Sequence, residues 1–203
     1  MLAGVVQDFL IIWATIDPIG TMALFAGLTA KLSSEQRRKT AVRAILYAGA
    51  VLLGAIVIGQ ILLGAMGISL VSFQLAGGII LFLFGLQMIF SEGSNDEHVE
   101  PKHDMAVFPL AIPSTASPGA ILAVILLTDN HTHPITEQVV TSLMMLLVLA
   151  ITLVLLLLSG RILKVIGTGG ASILVRIMGM ILAALSVEFI IEAVMLEGWL
   201  GGG

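Results

Sequence analysis

The chain has 203 residues, 58% of them apolar and 11% charged, with a formal net charge of −4 and a mean hydropathy of +1.12. About a quarter of the residues in an ordinary soluble domain are charged, so a water-soluble fold is excluded and an integral membrane protein is expected. The lack of any cysteine rules out disulfides, thiolate metal ligands and cysteine nucleophiles. The acidic balance leaves no basic face for nucleic acid.

A helix crossing about 30 Å of hydrocarbon needs roughly 20 apolar residues. In chain order, such stretches fall at 3–30, 41–63, 72–90, 138–158 and 172–196. A sixth, 105–127, is long enough but contains Pro109, Pro113 and Pro118. The runs are continuously apolar rather than alternating, which argues against barrel strands. Residues 1–10 have no basic flank, and the apolar stretch they open is too long for a removable signal peptide. The expected fold class is therefore an all-α membrane protein with six transmembrane helices in a single integral membrane domain, 1–203.

Basic residues orient the spans. Lys31, Arg37, Arg38, Lys39 and Arg43 lie between or just inside spans one and two, Lys102 between spans three and four, and Arg161, Lys164 and Arg176 around the junction of spans five and six. All nine fall on one side of a six-span arrangement, which is the positive-inside pattern. Both termini then face away from the cytoplasm. The acidic segment 91–104 reads as a solvated cytoplasmic linker dividing the chain into two three-helix halves, 3–90 and 105–197. Because three is odd, the halves enter the membrane from opposite sides, as inverted repeats do.

Spans one and four are interrupted near their middles. Thr15-Ile-Asp17-Pro18-Ile-Gly20-Thr21 breaks the first, and Thr115-Ala-Ser117-Pro118-Gly119-Ala120 breaks the fourth, 100 residues on. Proline removes a backbone donor and clashes with the preceding turn, and a small polar residue before it is a helix start signal. Asp17 and Ser117 are thus each placed to cap a second half-helix. Paired interruptions in two inverted halves point to a binding site near the midplane; the plainer alternative is two proline kinks absorbed by their neighbours. Asp17 is the one ionisable residue expected close to the bilayer centre, where an aspartate costs roughly 2.5–3.5 kcal/mol on insertion scales. Three roles are open to it: proton carrier, cation ligand, or structural cap.

The other polar features carry less. Glu188 and Glu192, one turn apart toward the outer end of span six, read either as a cation-attracting vestibule or as ordinary interfacial residues. Asp8 is given no role. Asp129, His131 and His133, and separately His98 and His103 with their acidic neighbours, hold metal-ligand types in wet loops without the spacing of a metal site, so no metal is expected. Ser114, Thr115 and Ser117 have no histidine or lysine at membrane depth to activate them, and no phosphate loop, zinc-protease motif or nucleophile elbow occurs. No enzyme activity and no cofactor are expected. Ala44 and Ala48, and Gly179 and Ala183, have small-xxx-small spacing, whereas Gly49, Gly54, Gly59 and Gly64 recur every five residues and walk around their helix; ordinary packing accounts for both.

Asp17-Pro18-Ile-Gly20 followed by Phe25, the run from Ser72 through Gly77-Gly78 to Leu83, Val107-Phe-Pro-Leu-Ala-Ile-Pro113, Ser117-Pro-Gly-Ala-Ile121 and Arg176-Ile-Met-Gly-Met-Ile-Leu-Ala-Ala184 together resemble the MarC family over essentially the whole chain. That resemblance implies a six-span bacterial or archaeal inner-membrane protein grouped with the LysE-type exporters, some members of which are named as neutral amino acid transporters. Asp17, Pro18, Gly20, Pro118 and Gly119 match the family pattern. Thr21 and Ala23 stand where the family commonly has asparagine and proline, and Ser117 where it commonly has glycine, so these departures fall on the expected site.

The resulting expectation is a secondary transporter, for uptake or export, of small polar solutes, with neutral amino acids the leading class. The expected substrate-binding residues are Asp17, Pro18, Gly20, Thr21, Thr115, Ser117, Pro118 and Gly119. The partners are a small-molecule substrate and the lipid bilayer. With no nucleotide-binding element, coupling is expected to a proton or sodium gradient, or to be absent. The alternative is a non-transporting membrane scaffold or assembly factor, which has no need for two broken helices.

Overall fold

The computed structural model describes residues 2–90 and 104–196. Every regular element within them is helical. Of the expected features, most of the acidic linker, with Lys102, His98 and His103, lies outside the described residues.

The first span is two helices, α1 (Leu2–Ile16) and α2 (Pro18–Leu28). The second, α3 (Ser34–Ala65), starts earlier than its apolar run. Ser33 and Gln36 form a reciprocal capping box there: the Ser33 amide donates to Gln36 Oε1 at 3.0 Å, and the Gln36 amide to Ser33 Oγ at 3.3 Å. Each satisfies a donor that a helix start leaves free. At about 1.5 Å per residue α3 is about 48 Å long, enough to project beyond the hydrocarbon at one end. It stops at Gly67, whose φ of 68° supplies the left-handed turn typical of a helix end. The third span, α4 (Leu70–Phe90), follows directly.

The fourth span is the bent pair anticipated from its prolines. An irregular, wide-turned segment, Ala106–Thr115, joins α5 (Pro118–Leu127) at an angle of 54°. Phe108 and Ile112 are extended (φ −129° and −132°), because each precedes a proline, which disfavours helical geometry at that position. The last helical run, Ile135–Leu196, is divided by Gly167 at φ 69° into α6 (Ile135–Gly167) and α7 (Gly169–Met195). The protein is thus a multi-pass, all-α membrane protein with six spans when the bent pair is counted as one.

Two apolar clusters hold the spans together. Ile12 and Ile16 of α1, Met22 and Phe25 of α2, Ala44, Ala48 and Leu52 of α3, Leu110, Val124, and Met145, Val148 and Leu149 of α6 form the larger. Leu81 and Met88 of α4 meet Leu122 of α5 and Met178, Leu182 and Phe189 of α7 in the smaller. The helices exchange partners in a regular way: α1 and α2 lie along the Ile135–Leu196 run, while the Ala106–Thr115 segment and α5 lie along α3. Leu46, Val57 and Ile61 of α3 are 66–69% exposed, an apolar face that in a bilayer is met by acyl chains.

Small residues set how closely the spans approach. On α4, a Cβ at Gly85 would lie 2.9 Å from both the Gly179 carbonyl oxygen and the Ala183 nitrogen of α7, so two backbones touch here as small-xxx-small seams allow. The five-residue glycine series of α3 alternates in its surroundings. Gly49 faces Leu149 and Gly59 faces Ile125, while Gly54 and Gly64 face open space.

Gly85→Ala should lower the thermal stability of the detergent-purified protein by about 1–3 kcal/mol, the usual penalty for overpacking. Gly54→Ala should leave it unchanged or raise it slightly, since alanine favours helix and nothing obstructs the methyl group. Thermal denaturation read by loss of monodispersity compares the two; equal destabilisation would contradict the tight α4–α7 seam.

Candidate functional site

The two breaks are formed by the same device and meet one another. Pro18 has no N–H and disfavours right-handed helix at residue 17. Asp17 accordingly turns left-handed, with φ 48° and ψ 70°, a conformation that short polar side chains tolerate. Its carboxylate folds back so that Oδ1 accepts the Gly20 amide at 3.0 Å. The cap as formed needs glycine at position 20: a Cβ there would displace the Asp17 carboxylate, lying 2.9 Å from its Cγ. In the fourth span, Ser117 is extended (φ −68°, ψ 158°) and its Oγ accepts the Ala120 amide at 3.0 Å. Asp17 and Ser117 are thus the N-caps of α2 and α5, as their positions before proline predicted.

Side chains bridge the two breaks. The Ser117 hydroxyl donates to the Thr15 carbonyl oxygen at 2.8 Å, and Thr21 Oγ1 and Ser114 Oγ lie 2.9 Å apart. Thr15, Asp17, Thr21, Thr115 and Ser117 are each at most 4% exposed. Among the described residues, every buried side-chain nitrogen and oxygen has a partner, the condition for polar groups at membrane depth. Two half-helix N-termini, each with the partial positive charge of aligned peptide dipoles, therefore converge inside the bundle. One is capped by a carboxylate and the other by a neutral hydroxyl.

Of the expected site residues, Asp17, Pro18, Thr21, Thr115, Ser117 and Gly119 are buried around this junction and Gly20 is half-buried. Pro118 is exposed. Thr115 turns its hydroxyl back to the Leu110 carbonyl at 2.8 Å, so it stabilises the wide turns of its own segment and does not reach across. Ser114 and the Thr15 carbonyl do reach across, and neither was expected to. Ser114 was visible in the sequence as a hydroxyl beside Pro113, but its partner is 93 residues away. The hydroxyls of Thr21, Ser114, Thr115 and Ser117 bond to one another or to backbone groups.

The remaining polar candidates fall elsewhere. Glu188 and Glu192 are exposed on α7, on the same outward face as Ile181, Ile191 and Met195, so they do not line the junction. Glu192 Oε2 accepts from Gln74 Nε2 at 3.0 Å. Asp8 accepts from Thr141 of α6 at 2.7 Å. Asp129 organises the turn between α5 and α6, accepting from the His131 amide and the Thr132 hydroxyl, while His133 pairs with Glu137. Among the described residues no cluster of His, Asp and Glu could hold a metal ion.

A model of the MarC family of integral membrane proteins matches residues 2–197. The chain belongs to the MarC family. The inner membrane protein MarC of Salmonella arizonae and that of Citrobacter koseri are each 31% identical to it over 88% of both chains. A membrane protein of Buchnera aphidicola is 28% identical over 94% of this chain and 95% of its own. No solved structure matches the chain. With its relatives in the inner membrane and several spans of its own, the protein is an inner-membrane protein.

Asp17→Asn should preserve the fold, because asparagine both tolerates the left-handed turn and caps α2. Asp17→Ala loses both and should be destabilised by about 1–2 kcal/mol. Thermal stability of the two purified variants checks this; an Asn variant as unstable as the Ala variant would mean that the charge, not the cap, holds the break.

Proposed function

We propose that the protein is a secondary transporter of small polar solutes, with neutral amino acids as the substrate class. The observation that carries this reading is the junction of two capped, proline-broken helices inside the bundle. Half-helix N-termini attract anions, and discontinuous helices meeting at the midplane are where many transporters bind substrate. A zwitterion has one charge for each feature available here. Its carboxylate is suited to the Gly119 amide at the start of α5: Pro118 has no N–H, the Ala120 amide is held by Ser117 Oγ, and that neutral cap leaves the positive helix end unneutralised. Its ammonium is suited to Asp17 or to the carbonyls freed beside it. Of the expected residues, Asp17, Pro18, Gly20, Thr21, Ser117, Pro118 and Gly119 form the proposed site, and Ser114 and Thr15 join them.

The chain divides in this reading into two inverted three-helix repeats, 3–90 and 105–197. Recurrence supports it: Asp17 and Ser117 cap in the same way, and Thr29 and Thr128 each return a hydroxyl to the fourth preceding carbonyl at 2.6 Å. Alternating access then comes from one half rocking against the other, coupled to a proton or sodium gradient or to none, and without covalent chemistry. The described basic residues support an orientation with the Arg37 end in the cytoplasm and both termini outside. A scaffold or assembly factor remains the competing reading, and no particular contact favours it.

Uptake of labelled glycine, alanine and serine into proteoliposomes, with and without proton and sodium gradients, tests the proposal. Saturable uptake is expected in the parent protein, and at least about tenfold less in folded Asp17→Asn, the factor for losing roughly 1.4 kcal/mol of substrate interaction. Absence of uptake of all three amino acids under every gradient would overturn the amino-acid assignment.

A further inference from the structure

Polar contacts fasten both ends of α3 to the second half, directly to α6 at one end and through the turn that leads into α6 at the other. At the basic end, Arg37, near the start of α3, donates from Nη2 to Ser159 Oγ on α6 at 3.0 Å. Its guanidinium also lies 5.7 Å from the centre of the Phe25 ring at the end of α2, within cation–π range. Gly160 provides the seat: a Cβ there would stand 3.3 Å from Arg37 Nη1.

At the opposite end, Gln60, near the finish of α3, donates from Nε2 to the Thr128 carbonyl at 3.0 Å and accepts the Asn130 amide on Oε1 at 3.2 Å. Gln138, near the start of α6, donates to Asn130 Oδ1 at 3.1 Å. A glycine lies beside this contact too, but it receives the apolar Ile125 side chain rather than a polar one: a Cβ at Gly59 would lie 2.7 Å from Ile125 Cδ1. Arg37 and Gln138, Gly59 and Gly160, Phe25 and Ile125, and Thr29 and Thr128 are each 99 to 101 residues apart. The same corner of the fold is therefore used twice, once at each end. Between the two ends, a Cβ at Gly49 of α3 would stand 3.5 Å from Leu149 of α6, a residue 100 positions further on.

We propose that Arg37 with Ser159, and Gln60 with Asn130 and Gln138, are two related latches that close opposite ends of the route to the Asp17–Ser117 junction. This rests on the transporter reading above and adds which residues govern access to its site. Each latch ties an element of the first half to one of the second, so rocking the halves apart at one end breaks one latch and spares the other. Both are formed here, which is the arrangement of a state shut at both ends. The two differ in chemistry: one is a guanidinium on a hydroxyl and an aromatic ring, the other a chain of side-chain and backbone amides.

Because the chain has no native cysteine, Thr21→Cys at the junction serves as a single reporter for a membrane-impermeant maleimide, applied to either face in right-side-out and inside-out vesicles. The reporter alone should react slowly from both faces, Thr21 being 2% exposed. Adding Arg37→Ala should speed labelling about tenfold or more from the basic face only, the factor expected for losing one charge-assisted hydrogen bond. Gln60→Ala should do the same from the opposite face only, and Arg37→Lys, which keeps a cationic donor, should restore slow labelling. If Arg37→Ala fails to fold, Ser159→Ala removes the same hydrogen bond and should give the same sidedness. Unchanged labelling in folded variants, or acceleration from both faces alike, would overturn the latches. The readout needs no substrate, so side-specific labelling without amino-acid uptake would overturn the substrate assignment alone, and uptake with side-blind labelling the latches alone.

Discussion

The fold depends on one constraint: in hydrocarbon there is no water to satisfy a backbone group that a broken helix releases. Pro18 and Pro118 each break a span, and each break needs partners from within the protein. Part of the need is met locally, by Asp17 on the Gly20 amide and Ser117 on the Ala120 amide. The rest is met by bringing the breaks together, because the Ser117 hydroxyl satisfies the Thr15 carbonyl that the first break exposes. Either break alone would leave polar backbone facing lipid or apolar side chains. The other spans pack around the side on which the two breaks meet, where Thr15, Asp17, Thr21, Thr115 and Ser117 are buried.

The spans around the junction make two kinds of contact. Along α4 and α7 the backbones approach through Gly85, Gly179 and Ala183, and a contact between backbones has no side chain to rearrange when it shifts. At the two ends of α3 the contacts to α6 and to the turn before it run through long or rotatable side chains, Arg37, Gln60 and Gln138, which can release and re-form without moving the helix that carries them. Under the proposed transporter reading both would be needed, a fixed seam for the halves to rock about and polar ends to part. The glycine series of α3 fits this division: Gly49 and Gly59 lie under neighbouring side chains while Gly54 and Gly64 face outward.

Much of this was legible in the sequence because it is local or compositional. Helix breaks at Pro18 and Pro118, caps at Asp17 and Ser117, and the six spans all follow from residue type and position along the chain. The family could be read from linked motifs spread over its whole length. What stayed hidden depends on contacts between residues far apart. Thr115 and Ser114 are adjacent hydroxyls, and nothing in their order says that Thr115 would turn back to Leu110 while Ser114 reaches Thr21. Arg37 reads as one of several interfacial basic residues until Ser159, 122 positions away, is placed against it. Glu188 and Glu192 share a helical face whose direction the sequence leaves open; both are exposed, and Glu192 is recruited from the edge of the α4–α7 contact by Gln74.

The two breaks share a capping bond to the third following amide but differ in backbone turn and in the charge of the cap, and the difference in charge bears on what the junction can hold. Two acidic caps would bring carboxylates close together in a medium of low dielectric, where like charges do not both ionise readily. Each helix start would also be neutralised, leaving nothing for an anion. Two neutral caps would present two positive helix ends and no counterpart for a cation. One Asp17 and one Ser117 leave a negative group at one break and an unneutralised helix start at the other, within a single enclosed junction. Under the proposed transporter reading, a zwitterion would make use of both while bringing no net charge into the membrane.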